Sequence, residues 1–165
     1  MSGYVVAPGA MIGHVHLKVA DLQRSLDFYC RVLGFELTQK LGSRAAFVSA
    51  GGYHHHIGLN TWESEGGRPS DIGHTGLYHF AILYPDRKSW AAAVMRIVEE
   101  GIELEGAADH GVSEAVYLRD WDGNGVELTV DKDRDNWPRD SNGDLAMTTL
   151  PLNLEEVLRF AKGQP

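Results

Sequence analysis

The chain has 165 residues, 43% of them apolar, and a formal net charge of -8, which suits one domain with a proper core or two small modules sharing one. Its Lys and Arg are scattered rather than clustered, so neither nucleic acid nor an anionic membrane is expected as a partner. The single cysteine, Cys30, can form no internal disulfide, and neither a leader peptide nor a long apolar run is read, so a cytoplasmic, reducing setting is expected.

Residues 1–10 form a polar lead-in. Residues 11–19 alternate, with His14 and His16 on one face and Val15, Leu17 and Val19 on the other, as a half-buried strand does. Asp21 caps a helix whose apolar positions Leu22, Leu26, Phe28, Tyr29 and Leu33 keep helical spacing, and Gly34 stops it. Strands are predicted over 35–39, 45–49 and 54–60, with Gly51 and Gly52 turning between the last two. Residues 63–76 carry Gly66, Gly67, Pro69 and Gly73 and read as a linker. A strand over 77–83 and a helix over 87–100 follow, then strands near 102–106, 115–119 and 125–130, with Asp120 to Asn124 as a hairpin turn. The polar stretch from Asp131 to Asp144 runs over the surface, and Asn153 starts a last helix through Leu158 and Phe160.

A pattern in this order occurs twice. His14 precedes Asp21 by seven residues, His79 precedes Asp86 by seven, and the two copies are offset by 79 - 14 = 65 residues. Each Asp is followed by a helical run ending in glycine, Gly34 or Gly101, and then by strands. The expected architecture is α+β: two βαβββ modules over 11–62 and 77–131, a linker over 63–76 and a C-terminal extension over 132–165. A pseudo-two-fold relates the modules, and their sheets curl around a shared metal cleft. Equivalent positions on the first strands then bring His14 and His79 together.

Imidazole at both symmetric positions is more than core packing needs, since a buried imidazole must find hydrogen-bond partners. His16 shares the face of His14, but its repeat partner is Ala81, so the symmetry selects His14. Glu127 is the candidate carboxylate, because Glu127 and Thr129 alternate against Val126, Leu128 and Val130. Two His and one carboxylate with open positions suit iron(II), with manganese(II) next. A second cluster is Tyr53-His54-His55-His56, where alternation places His55 with Ile57 and Leu59, and His54 and His56 with Gly58. His110 to Ser113 is a third, followed by Tyr117, whose face relative to Glu127 is left open by the intervening turn.

The stretches His14 to Tyr29, Gly51 to Trp62, Gly76 to Ala81, His110 to Ala115 and Asp122 to Glu127 together resemble the vicinal oxygen chelate superfamily of glyoxalases, bleomycin resistance proteins and extradiol dioxygenases. Within it, the chain resembles the catechol 2,3-dioxygenase-like proteins most. That resemblance implies that His14, His79 and Glu127 hold the metal, that His55 is the acid-base histidine, that His110 steadies bound oxygen species, and that Tyr117 hydrogen-bonds a substrate oxygen. It implies a small aromatic diol and O2 as reactants, a homodimer as a compatible assembly, and iron(II) or manganese(II) as the metal. Two departures are visible: the turn reads Asp120-Trp121-Asp122-Gly123 in place of Asp-Pro-Asp-Gly, and many ring-cleavers have four modules where this chain has two. A glyoxalase-type lyase or isomerase, using nickel(II) or zinc(II), is the alternative. Its usual fourth ligand, a carboxylate on the last strand of the first module, has no counterpart, since no Asp or Glu lies between Glu36 and Glu63. A metal-free drug-binding protein of the same fold is the other alternative, and it has no need of the two His and the Glu.

Overall fold

The structure, a computed structural model, describes residues 3–71 and 73–164, so Ile72 of the predicted linker lies outside the described residues. The first half contains β1 (Val15–Lys18), α1 (Leu22–Leu26), β2 (Glu36–Leu41), β3 (Ala45–Ser49) and β4 (Ile57–Asn60). The second contains β5 (Phe80–Tyr84), α2 (Arg87–Glu99), β6 (Gly106–Asp109), β7 (Ser113–Arg119) and β8 (Gly125–Asp131), followed by β9 (Leu150–Pro151) and α3 (Leu154–Ala161). The sheet orders are β1-β4-β3-β2 and β5-β8-β7-β6-β9. Apart from the added β9, the second sheet repeats the first, with a parallel pair at one edge, β1 with β4 and β5 with β8. The α+β, twice-used βαβββ architecture is thus the observed one.

Both module helices begin where a short carboxylate can reach an orphan amide. The Asp21 side chain accepts from Arg24 N at 3.0 Å, and that of Asp86 accepts from Ser89 N at 2.7 Å. The helix predicted over 22–33 is not uniform. It is α-helical only to Leu26 and continues as a π-helical turn over Asp27–Val32, with Leu33 N donating to Phe28 O at 3.0 Å. The wider turn keeps Phe28, Tyr29 and Val32 fully buried. On α2, Trp90, Ala91, Val94 and Ile97 form the buried stripe, and the Trp90 indole donates to Leu128 O at 2.9 Å. The buried residues Leu17, Val19, Tyr29, Trp90, Leu118 and Leu128 belong to one contiguous core drawn from both halves.

The halves are joined by a buried polar contact as well. The Tyr29 hydroxyl donates to Asp120 Oδ2 at 2.8 Å, and the neighbouring Asp122 accepts from Ala20 N at 3.1 Å and from Arg24 at 2.7 Å. The turn that carries Trp121 in place of proline is therefore docked on α1, and Trp121 packs edge-on against Phe28 at 5.4 Å between ring centroids.

Several strand limits differ from the sequence reading. β1 starts at Val15 rather than residue 11, β5 at Phe80 rather than 77, and β4 at Ile57 rather than 54. The strand expected over 102–106 instead runs from Gly106, because residues 102–105 serve as the exit from α2, where Ile102 N bonds Ile97 O at 3.1 Å. β9 has no counterpart among the predicted strands: it is two residues long and pairs Leu150 and Pro151 with Asp109 and Ala108. Among the described residues no helix is long and apolar enough to cross a membrane.

Candidate metal and substrate site

On β8, Val126, Leu128 and Val130 belong to the hydrophobic core, so alternation turns Glu127 to the opposite face, where it is itself largely buried. On the parallel neighbour β5, Ala81 is the register partner of Glu127, and His79 stands one same-face step earlier, just before the strand. This brings His79 Nε2 to 3.0 Å from Glu127 Oε2, with the His side chain 34% and the Glu side chain 12% exposed. Two donors each about 2.1 Å from one ion and at right angles to each other are about 3.0 Å apart. The pair therefore fits two adjacent positions on a divalent metal.

Antiparallel register settles the face of Tyr117, which the sequence left open: Tyr117 on β7 lies directly opposite Glu127 on β8. Its ring is 5.4 Å from that of His79, and its hydroxyl is 2.7 Å from His110 Nε2. Burial, and then the Glu127 carboxylate, push the Tyr117 phenol above its ordinary pKa. His79, Tyr117 and His110 line, with Tyr78, Gly106 and Gly125, a cavity of about 320 Å³. That is the small end of ligand pockets.

The first module's candidates gather separately. The His14 ring lies 4.4 Å from His55, and His55 lies 4.9 Å from Phe47. Alternation had placed His55 with Ile57 and Leu59, which point into the core. Residues 54–56 precede the strand and follow the Gly51-Gly52 turn, both glycines at positive φ. His55 is thereby brought to the face of Phe47 and Gly58, which are register partners. Burial, and then the neighbouring His14, hold its imidazole below the ordinary pKa. His54 and His55 share a hydrogen bond between their Nδ1 atoms at 2.7 Å, while His56 Nδ1 is bound to Ser49 Oγ at 3.0 Å. Among the described residues no group of three or more His, Cys, Asp or Glu side chains is disposed to hold a metal ion. The structure thus joins His79 with Glu127 and His14 with His55, and it does not draw His14, His79 and Glu127 into one group.

Some site features carried no sequence signal. The Thr148 carbonyl accepts from His110 Nδ1 at 2.9 Å, a main-chain contact that any residue type could make. Gly125 lets β5 and β8 approach beside His79, since a Cβ there would lie 2.1 Å from Tyr78 O. A glycine at the start of an alternating strand hints at such close approach, without naming the neighbour.

Paired βαβββ modules define the class of protein to which this fold belongs. The family model described as the Glyoxalase/Bleomycin resistance protein/Dioxygenase superfamily matches residues 11–128, and the chain belongs to that superfamily. It is 44% identical over 150 residues to the catechol-2,3-dioxygenase of Bacillus subtilis (strain 168), an alignment covering 91% of this chain and 52% of the relative. The chain therefore spans about half the length of that protein. It is 28% identical over 120 residues to a probable lactoylglutathione lyase of Synechocystis sp., covering 70% of this chain and 91% of the relative. Its fold matches the crystal structure of a glyoxalase/dioxygenase from Nostoc punctiforme with a TM-score of 0.64 at 24% identity, covering 81% of this chain and 100% of that one.

Proposed function

We propose that the chain is an extradiol-type dioxygenase that opens the ring of a small catecholic diol with O2. The observation carrying this reading is the His79–Glu127 pair, 3.0 Å apart beside Tyr117 at the wall of the cavity. The likeness to a catechol-2,3-dioxygenase at 44% identity supports the same choice. In this reading His14 is the third ligand, so the His14–His55 face meets the His79–Glu127 face when the site is complete. Iron(II) is the metal preferred by two imidazoles and a carboxylate with open positions, and manganese(II) is next. Bound there, it would act as a Lewis acid on the diol oxygens and carry electrons from ring to oxygen.

The chain's own groups do the rest. His55, whose surroundings hold its imidazole below the ordinary pKa, is suited to take a proton from a diol hydroxyl. Tyr117 orients the diol at the cavity wall, and His110 behind it stabilises negative charge developing there. A homodimer belongs to the reading, because Met11, Ile12 and Tyr78 are strongly exposed apolar residues that a second copy would cover. A cytoplasmic setting accords with the lone thiol Cys30.

The test is oxygen uptake by anaerobically purified, iron-loaded protein supplied with catechols. Uptake with ring-opened product is expected, and His55→Ala should lower it by roughly tenfold or more while metal content stays near that of the parent. Equal uptake by variant and parent removes His55 from the mechanism. The lyase reading, with nickel(II) or zinc(II), is favoured by one observation, the likeness to a probable lactoylglutathione lyase across 91% of that protein. It takes precedence if the loaded protein consumes no oxygen with any diol but isomerises a thiohemiacetal.

A further inference from the structure

His110 is held from both sides by groups whose hydrogen-bonding roles differ. Nδ1 lies 2.9 Å from the Thr148 carbonyl oxygen, which can only accept, so Nδ1 carries the hydrogen. The Thr149 hydroxyl is farther, at 3.4 Å, and shares that hydrogen as a second acceptor. A bare Nδ1 would set its lone pair against the carbonyl oxygen. Neutral imidazole has one N–H, so Nε2 is the acceptor, and the Tyr117 hydroxyl donates to it across 2.7 Å. The hydrogen of Tyr117 is thus committed to His110, and its lone pairs are what it offers to the cavity.

The carbonyl that decides this belongs to the C-terminal extension. Residues 137–151 cross the β6–β7 hairpin as a strap: Thr148 N bonds His110 O at 3.0 Å, Ala146 N bonds Pro138 O at 2.9 Å, and β9 pairs with β6. Pro138 sits so close over Gly111 that a Cβ there would meet its Cγ at 2.9 Å, and Gly111 has a φ of +76°. Lys132 ties the base of the strap to Asp109 at 2.7 Å, one residue before His110.

We propose that this strap fixes His110 as the Nδ1–H tautomer and thereby makes Tyr117 a proton acceptor toward the substrate, with His110 as the base behind it. In the step, the diol O–H that His55 does not serve breaks and its proton passes to Tyr117 Oη, while the proton of Tyr117 passes to His110 Nε2. The phenol is regenerated, the diol oxygen is left with the negative charge, and the positive charge rests on His110, where the Thr148 carbonyl accepts a strengthened hydrogen bond. Thr148 acts through His110 and is a positioning residue. The proton path rests on the dioxygenase reading; the tautomer does not.

The test uses the full chain labelled with ¹⁵N-histidine, metal-free, at about pH 8, where an ordinary imidazole of pKa about 6.5 is neutral. Long-range ¹H–¹⁵N spectra distinguish the tautomers, and the His110 signals are assigned by their loss in His110→Gln or, if that variant does not fold, by through-space contact with the Tyr117 ring. An Nδ1–H tautomer is expected, and Nε2–H overturns the proposal. Tyr117→Phe should keep the Nδ1–H tautomer, since the strap and not the phenol sets it; a switch to Nε2–H overturns that assignment. In oxygen uptake, Tyr117→Phe should lower kcat on the order of tenfold or more with KM little changed, and an unchanged kcat overturns the proton path. If the parent consumes no oxygen at all, the dioxygenase reading fails while the spectra still decide the tautomer.

Discussion

His79 Nε2, one residue before β5, and Glu127 Oε2 on its parallel neighbour β8 stand 3.0 Å apart. The β5–β8 register, Ala81 opposite Glu127, places both side chains on one face of the sheet. Removing either group should therefore remove a proposed ligand without unfolding the sheet. His79→Ala and Glu127→Ala are each expected to lose most of the metal of protein purified without oxygen, read by elemental analysis, and His14→Ala the same. Full occupancy in His79→Ala would withdraw it as a ligand.

Gly125 controls how closely those two strands lie. An added Cβ would meet Tyr78 O at 2.1 Å and His79 Cβ at 2.8 Å, and a carbonyl fixed in the main chain cannot swing aside. Gly125→Ala should cost about 1–3 kcal/mol by overpacking and should weaken metal binding with it. Gly58→Ala meets only the His16 ring, at 2.9 Å, which is a side chain able to turn away. Urea midpoints should rank the two, and an equal or smaller loss for Gly125→Ala would contradict the packing argument.

The Tyr29–Asp120 bond crosses between modules within the core. Asp120 Oδ1 also accepts from Asp122 N at 2.9 Å and Asn124 N at 2.8 Å, so one carboxylate organises the turn and docks it on the first module. Burial, and then Asp120, hold the Tyr29 phenol well above its ordinary pKa. Tyr29→Phe deletes one hydrogen bond to a charged group and should cost about 1.5–3 kcal/mol. A loss below about 0.5 kcal/mol in equilibrium urea unfolding would show that the contact contributes little.

Lys132 holds the Asp109 carboxyl below the usual carboxylate range. A depressed folded-state pKa stabilises above the unfolded value of about 3.9, and that stabilisation is lost as pH falls through the folded value. Both side chains are partly exposed, at 34% and 28%, so Lys132→Met should cost at most about 1 kcal/mol at pH 7. The gap between variant and parent should close as pH is lowered through 4. A gap that stays constant with pH would mean lost packing of the Lys stem rather than lost charge.

Local rules made much of this chain readable. Leu17 and Val19 are buried where strand alternation put them, Asp21 and Asp86 cap the helices they precede, and the 65-residue offset marks two modules of one design. These depend on backbone period and on side chains reaching two or three residues, which sequence spacing records directly. The π-helical turn over Asp27–Val32 was not legible, because its widening serves core packing and the docking of Tyr29 on Asp120, 91 residues away. The face of His55 depended on where β4 begins, and the face of Tyr117 on the register across a turn. The bond from His110 to the Thr148 carbonyl leaves no trace in residue type, since every residue has a carbonyl. That the His14–His55 and His79–Glu127 pairs form without one group of three is likewise tertiary: a repeat states that two positions are equivalent, while the packing of the modules decides where those positions stand.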